Sequence, residues 1–425
     1  MPGSRQLPRH DLPGGHLADC QICGSDGLEL ILDLGHQPPC DSLLTHEQLN
    51  REERSYPLRF VRCRECGLAQ IDYVVAPEVL FHPDYPYRSG ITQTLVQNLQ
   101  ATTHAIVDRF KLAPGQLAVD IGSNDGTLLK GFSSRGLRVL GIEATNIARI
   151  AIADGIETIQ SFFDESIAGC IVSRYGQAAA ITATNMFAHV AAMGELMRGV
   201  DHLLRHDGVF VTESHYLLDL LETVQYDSIY HEHLKFYSLR TLIRFFDYYD
   251  FVLIDAERIP NYAGSIRVYA ARKSGPLAQS TDRLRNLIQA EDTRALHTAA
   301  PFRDFERKVR NAKLDLVGRL VELNRAGAMV PGIGCPGRSS TLLNYCGIDT
   351  DLVPYIAEQN SSLKVGLFLP GKHIPIEDER RLFEEQPEYA LMLSWHYAKP
   401  IVANLRARGL KSKIIVPLPM VAILD

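Results

Sequence analysis

The densest set of side chains able to move protons is Tyr226-Asp-Ser-Ile-Tyr230-His231-Glu232-His233. Glu213-Ser-His215-Tyr216 precedes it, and Asn185-Met-Phe-Ala-His189 lies further back. Histidine is the natural general base near neutral pH, and Glu232 can orient or polarise a neighbouring imidazole. Tyr230 can donate a hydrogen bond to a developing oxyanion. A metalloprotease helix needs His-Glu-x-x-His, a spacing that His231-Glu232-His233 lacks. His215 by itself reads as a surface or hydrogen-bonded structural residue, and Tyr216 and Tyr226 can simply pack at a sheet edge.

A second chemistry is written in Leu117-Ala-Val-Asp-Ile-Gly-Ser-Asn-Asp-Gly-Thr-Leu-Leu129. Val119 and Ile121 suit a buried parallel strand, with Asp120 near its C-terminal end. Gly122 and Gly126 permit a tight turn with close backbone approach around Asn124, and Thr127 can open a helix. A second short strand, Leu137-Arg-Val-Leu-Gly-Ile-Glu143, ends in a carboxylate suited to a ribose diol. The turn is Gly-Ser-Asn-Asp-Gly rather than Gly-x-Gly-x-x-Gly, and Asp125 would oppose a pyrophosphate. These residues favour S-adenosylmethionine, whose amino-acid end is cationic, over NAD. Asp120 and Asp125 are expected at that end and Glu143 at the ribose. Asn185 follows a predicted strand on the same sheet edge. An ordinary strand–turn–helix carries similar glycines, so the turn alone does not decide.

Cys20-Gln-Ile-Cys23 and Cys63-Arg-Glu-Cys66 are each followed by glycine. Two such knuckles supply four thiolates, a closed tetrahedral site for structural Zn2+ with no open catalytic position. A redox role for either knuckle is the alternative. The separation from Cys23 to Cys63 is wide for a zinc ribbon, so Leu28 to Arg62 is expected as an inserted loop. Cys40, Cys170, Cys335 and Cys346 read as ordinary buried thiols.

These groups need a scaffold of about two or three domains, which 425 residues can supply. The expected architecture is α/β. Residues 1–17 read as a flexible leader and 18–75 as the zinc module; Tyr85 and Tyr87 follow in a Pro-rich loop. Strands near 117, 136–143, 178–184, 208–214, 251–254 and 265–270, with helices between, form the parallel-sheet unit at 76–275. The charged stretch 276–327 has a helical period and is expected as a linker, with 302–319 a solvated face. Ala328-Met-Val-Pro-Gly-Ile-Gly-Cys-Pro-Gly337 opens a second Rossmann-like unit over 328–425, although Pro331 is a poor strand residue. An apolar content of 46% against 22% charged residues suits a soluble globular chain. A net charge of −6 gives no support for a nucleic-acid or membrane partner. No secretory signal is evident and cysteines are sparse, so a cytoplasmic location is expected.

Taken together, the chain from Cys20 to near its end resembles the S-adenosylmethionine-dependent sugar C-methyltransferases of deoxysugar pathways. The landmarks are Cys20-x-x-Cys23, Asp33-Leu-Gly-His-Gln-Pro38, Cys63-x-x-Cys66-Gly-Leu68, Tyr85-Pro-Tyr-Arg-Ser89, and Val119 to Gly126. Further landmarks are Asn185-x-x-x-His189, Tyr230-His-Glu-His233, Thr341-Leu-Leu-Asn-Tyr-Cys346 and Leu369-Pro-Gly-Lys-His-Ile-Pro375. The resemblance implies a zinc-bearing N-terminal module, a central class I methyltransferase domain and a C-terminal Rossmann-like domain. A nucleotide-linked sugar would lie between the last two. It implies His233 as general base, with Tyr230, Glu232 and His189 around it. Tyr85, Tyr87, Arg338, Asn344 and His373 would be in substrate contact. Gly334-Cys-Pro-Gly-Arg-Ser-Ser340 departs from the family's usual Gly-Ala-Pro-Ala-Lys-Gly-Asn loop, with Arg338 able to replace lysine beside a phosphate. The expected reaction is carbon-3 methylation of a 4-keto-6-deoxy sugar. An O- or N-methyltransferase and a zinc-ribbon nucleic-acid-binding protein are the alternatives. The oligomeric state is left open.

Overall fold

The computed structural model describes residues 11–12, 14–81, 88–91 and 93–425. Three antiparallel strands, β1 (Leu28–Gln37), β2 (Tyr56–Cys63) and β3 (Ala69–Ile71), form the N-terminal sheet. The stretch expected as an inserted loop is therefore framed by a hairpin, with the irregular connection confined to 38–55. Alternating residues explain it: Leu32 and Leu34, and opposite them Leu58 and Phe60, face one core. Within the expected leader, Gly15–His16 pairs with Tyr73–Val74.

The two knuckles close on each other. Cys20 Sγ lies 3.5 Å from Cys66 Sγ and Cys23 Sγ 3.5 Å from Cys63 Sγ, all four within 4.8 Å of one another. Thiolates around a tetrahedral ion with bonds of about 2.3 Å stand about 3.8 Å apart, so the donor set fits Zn2+. Gly24 and Gly67 adopt φ 66° and 79°, and the amides of Ile22 and Cys66 turn toward Cys20 and Cys63 sulfurs. Of the remaining cysteines, Cys40, Cys335 and Cys346 are buried but Cys170 is exposed, against expectation.

Helix α1 (Gln93–Phe110) leads into the central sheet: β4 (Leu117–Ile121), β5 (Arg138–Ile142), β6 (Thr158–Ile159), β7 (Ala178–Thr184) and β8 (Leu204–His215). Helix α2 (Thr127–Ser133) follows β4. Every residue of β4 is buried, as a strand covered by helices on both faces requires. After the short strand β9 (Lys235–Phe236) and helix α3 (Leu239–Asp247), the chain returns as β10 (Phe251–Ile259) and β11 (Ser265–Arg272). The seven strands run β10-β11-β8-β7-β4-β5-β6, all parallel but for β11.

Helices α4 (Asp282–Thr293) and α5 (Ala300–Arg325) connect to the C-terminal unit. On α5, Phe302, Phe305, Val309, Ala312, Leu316 and Leu320 are buried at helical spacing; the opposite face is charged and wet. The C-terminal sheet comprises β12 (Gly332–Ile333), β13 (Ile356–Glu358), β14 (Ile376–Asp378), β15 (Tyr389–Met392), β16 (Lys413–Val416) and β17 (Ala422–Leu424). It is ordered β14-β13-β12-β15-β16-β17, parallel except at β17. Strand β12 starts just after Pro331, whose carbonyl still accepts from Leu391 N. Helix α6 (Arg338–Cys346) follows its glycine turn. No helix among the described residues is long and apolar enough to cross a membrane.

Strand β9 is the joint between modules. Although it belongs to the central part of the chain, it pairs with β3 of the N-terminal sheet. Gln21, inside the first knuckle, donates to the carbonyls of Ile71 and Leu234, and Ile71 N also donates to Leu234 O. Removing zinc with a chelator, or making Cys63→Ser, is therefore expected to speed amide exchange at 234–236 by tenfold or more and to lower the melting temperature. Hydrogen exchange followed by mass spectrometry checks this; unchanged protection at 234–236 would show that the metal does not support β9.

Candidate active site

Strands β4, β5, β7 and β8 all end at one edge of the central sheet. The order reverses between β4 and β7, the place where open α/β sheets form their ligand crevice. A cavity of about 500 Å³ occupies it, closed on the far side by Pro336, Gly337, Arg338, Lys364 and His396 of the C-terminal unit.

One end of the cavity is acidic. Asp120, at the end of β4, accepts from Thr182 Oγ1 at 2.6 Å, and burial pushes its carboxyl up to about 7. Glu143 accepts from Asn124 N at 2.9 Å and from Thr145 N and Oγ1 at 2.9 and 2.7 Å. Three bonds leave lone-pair capacity for a ligand hydroxyl. Gly122 (φ 73°) lines the cavity where a Cβ would strike Met186 at 2.9 Å. Asn185, held at φ 55° just past β7, has a buried Oδ1 without a protein partner. An unsatisfied carbonyl beside two acids suits a cationic group.

Two expected members of this end stand elsewhere. Asp125 Oδ1 accepts from Thr127 N and Oγ1 and its Oδ2 from Gly90 N, so it fixes the turn before α2 and tethers the preceding segment. Its carboxylate is consumed there and does not line the cavity. Gly126 is also outside it, and a Cβ there would meet Ile156 at 3.1 Å, so its lack of side chain serves packing.

The other part of the cavity is aromatic and basic. The ring of His233 lies 3.9 Å from Tyr230, 4.6 Å from His215 and 4.8 Å from His189, centroid to centroid. His233 Nδ1 sits 2.6 Å from the carbonyl of Ser228. A carbonyl only accepts, so Nδ1 carries the proton and Nε2 holds the lone pair. Burial drives His233 well below the ordinary histidine range, His189 down to about 4 and His215 to about 3, so all three are neutral near pH 7. The imidazole of His233 is thus oriented by Ser228 rather than by Glu232. Glu232 lines the cavity but accepts from Cys40 Sγ at 3.3 Å. His231 points away, its Nε2 3.2 Å from Pro57 O.

Among the expected substrate contacts, Arg338 lines the cavity. It is buried, donates from Nη2 to Gln225 Oε1 at 3.1 Å, lies 3.8 Å from Asp227 through Nε and over Trp395, and leaves Nη1 without a partner among the described residues. Asn344 does not reach the cavity: its Nδ2 binds Ser340 O and Pro370 O, pinning a loop to α6. His373 is half-exposed beside Glu53, where it docks the C-terminal unit on the N-terminal module. Tyr85 and Tyr87 lie outside the described residues. Sequence reasoning missed Ser228, Lys364, His396 and Tyr262, and gave His215 only a structural part. The position of His215 at the end of a predicted strand on the ligand edge was the available signal.

Comparison with known proteins gives the family of the chain. Residues 260–419 match the C-methyltransferase C-terminal domain, 96–256 a methyltransferase domain, and 20–81 a zinc binding domain. C-methyltransferase NovU of Streptomyces niveus is 30% identical over 406 residues, covering 94% of this chain and 95% of that protein. Magnesium protoporphyrin IX methyltransferase from Synechocystis PCC 6803, solved with bound SAH, is 12% identical over 44% of this chain and 90% of that chain, with a TM-score of 0.34. A S-adenosylmethionine-dependent methyltransferase from Clostridium acetobutylicum is 10% identical over 42% and 92%, also at 0.34. With a near full-length relative, domain matches on all three modules and a cofactor crevice at the sheet's switch point, this chain belongs to the S-adenosylmethionine-dependent C-methyltransferase family.

Proposed function

We propose that this enzyme methylates carbon 3 of a nucleotide-linked 4-keto-6-deoxy sugar through an enolate generated by His233. The observation that carries the reading is the Ser228–His233 hydrogen bond. It leaves Nε2 of a neutral imidazole as the base, in the same cavity as Asp120, Glu143 and Asn185. A carbon acceptor has no lone pair to offer, so it must first lose a proton, and a ketone on the adjacent carbon makes that proton acidic enough.

His233 Nε2 takes the proton from carbon 3; the C–H electron pair moves into the ring and the carbonyl pair onto oxygen. Tyr230 or His189 donates to that oxygen. Bound S-adenosylmethionine supplies the electrophilic methyl of a sulfonium. Asn185 and Asp120 hold the cationic end, Glu143 the ribose hydroxyls, and Gly122 lets the backbone approach. Held in one cavity, donor and acceptor react with little remaining entropic cost. The free Nη1 of Arg338, at the start of α6, supports an anionic acceptor and takes a phosphate oxygen of the nucleotide. Lys364 lies on the same wall, kept protonated by Asp41 at 2.7 Å, with which it forms a buried ion pair.

Glu143→Ala is expected to weaken S-adenosylmethionine binding roughly 10- to 100-fold, the scale of losing hydrogen bonds to a charged group. Titration calorimetry measures it, and an unchanged affinity would remove Glu143 from the ribose.

Incubation in deuterated buffer with a panel of nucleotide-linked 4-keto-6-deoxy sugars should wash deuterium into carbon 3, and His233→Ala should abolish that exchange while cofactor affinity holds. Exchange surviving in the variant takes His233 out of the base role. Methylation with no deuterium incorporation in the parent enzyme points to an oxygen or nitrogen acceptor instead.

The pH profile has a definite sign. A base works unprotonated, so activity is present above its pKa and lost as pH falls through it. Because burial depresses His233, kcat should stay flat from pH 8 to below 6.5 and fall only at more acid values. A fall already centred near 6.5–7 would mean an unburied imidazole.

A further inference from the structure

His215 is the last residue of β8 and stands across from Ser265 of β11. Its ring faces the cavity, packed against His233 on one side and against Tyr262, 5.9 Å away, on another. The packing is not cheap. Tyr262 and Ala263 both sit in the left-handed region, at φ 53° and 67°, a conformation that a residue with a Cβ adopts only under constraint. Such strain collects where a side chain must be aimed. Tyr262 in turn meets His396 at 6.4 Å and Tyr397 at 6.1 Å, so the hairpin is braced by the C-terminal unit.

The ring of His215 is walled by aromatics, yet neither of its nitrogens has a hydrogen-bond partner among the described residues. His215 is only partly buried and lines the cavity, so both nitrogens are open to a ligand there rather than tied up within the protein. A shared metal ion does not explain them. Among the described residues, the nitrogens of His189, His215 and His233 do not come together as an ion requires. Burial, Arg338 and His189 keep the imidazole uncharged. A neutral imidazole donates one N–H and retains it, whereas an imidazolium would surrender its proton to an enolate and quench it.

We propose that His215 is a further catalytic residue, whose neutral N–H donates to the acceptor's carbonyl oxygen while the neighbouring His233 deprotonates the adjacent carbon. This role rests on the ketone reading given above. The reacting carbon and the carbonyl oxygen are neighbours in the acceptor, and two imidazoles 4.6 Å apart face them from one wall. The C–H bond breaks as Nε2–H forms on His233. The C–H pair becomes the enolate double bond, the carbonyl pair moves to oxygen, and the N–H bond of His215 stays intact. When the enolate carbon takes the methyl, a C–C bond forms, the C–S bond breaks with its pair left on sulfur, and the carbonyl is restored.

The test compares zinc-loaded full-length parent, His215→Phe and His215→Gln. Phenylalanine keeps the ring without a donor, and glutamine keeps an N–H without the ring. Deuterium exchange into the 4-keto sugar panel is read with S-adenosylhomocysteine present, so that proton removal is seen without transfer. Methyl transfer and calorimetric cofactor affinity are read separately. His215→Phe is expected to slow exchange and transfer alike by about 10²–10³-fold, the scale of losing one oxyanion donor, with cofactor affinity unchanged. His215→Gln should regain at least tenfold of that loss. Exchange in His215→Phe within tenfold of the parent overturns the proposal, as does a glutamine variant no faster than phenylalanine, since shape alone would then matter. If His215→Phe fails to fold, His215→Leu serves as the donorless variant. A parent enzyme that exchanges no ketone overturns the ketone reading itself and this role with it, a result distinct from either variant outcome.

Discussion

The hydrogen bonds of a single residue, Leu234, decide where the reacting groups stand. Its carbonyl accepts from Ile71 N and Gln21 Nε2, and its amide donates to Ala188 O. The first pair leads to the cysteine cluster, the last to the turn that carries His189, and the adjacent residue is His233. From the other side, Trp395 Nε1 donates to Asp227 at 2.6 Å and Thr341 Oγ1 to Ile229 O at 3.0 Å. The segment between Gln225 and Leu234 has only one short helical turn, yet it is almost wholly buried. A buried irregular chain is tolerated only when its polar backbone finds partners, and here those partners come from two other modules. The zinc centre is thus far from idle, although it offers no catalytic position.

The cavity is electrically divided. Asp120 and Glu143 stand at the end of the central sheet, while Arg338 and Lys364 stand on the C-terminal wall. Uncharged imidazoles occupy the space between. A ligand with a cationic end and a ligand with an anionic end can each find a complementary side. Neutral histidines suit that middle ground: charged ones would repel a cationic ligand and would have no lone pair to take a proton.

Much of this was legible before any coordinates. Strand β4, its glycine turn and the strand ending at Glu143 follow from apolar runs closed by turn residues, because parallel strands buried on both faces leave that mark. The two Cys-x-x-Cys knuckles announce their ion through ligand type and spacing. Other readings failed for definite reasons. Asp125 looked like a ligand because it sits in the turn, but a carboxylate two residues before a threonine is equally placed to bond that residue's amide and hydroxyl, as it does here. The hairpin between the knuckles hid because bulges at Leu30–Leu32 and Asp33–His36 break its alternation. Asn344 and His373 belong to motifs of the resemblance whose work in this chain is joining loops and modules.

The sequence by itself determined the α/β class, the thiolate ion site, the acidic strand ends and the presence of a histidine-rich segment, since each depends on local periodicity or spacing. Only the tertiary structure decided which histidines meet. His189, His215 and His233 come from three separate segments, and their ring contacts depend on β7, β8 and the buried loop ending side by side. The aiming of Arg338 into the same cavity is likewise a contact across the fold. The Ser228–His233 bond spans only five residues, but the buried irregular backbone that brings the two together is held by Trp395 and Thr341 from another module, so no local periodicity encodes it.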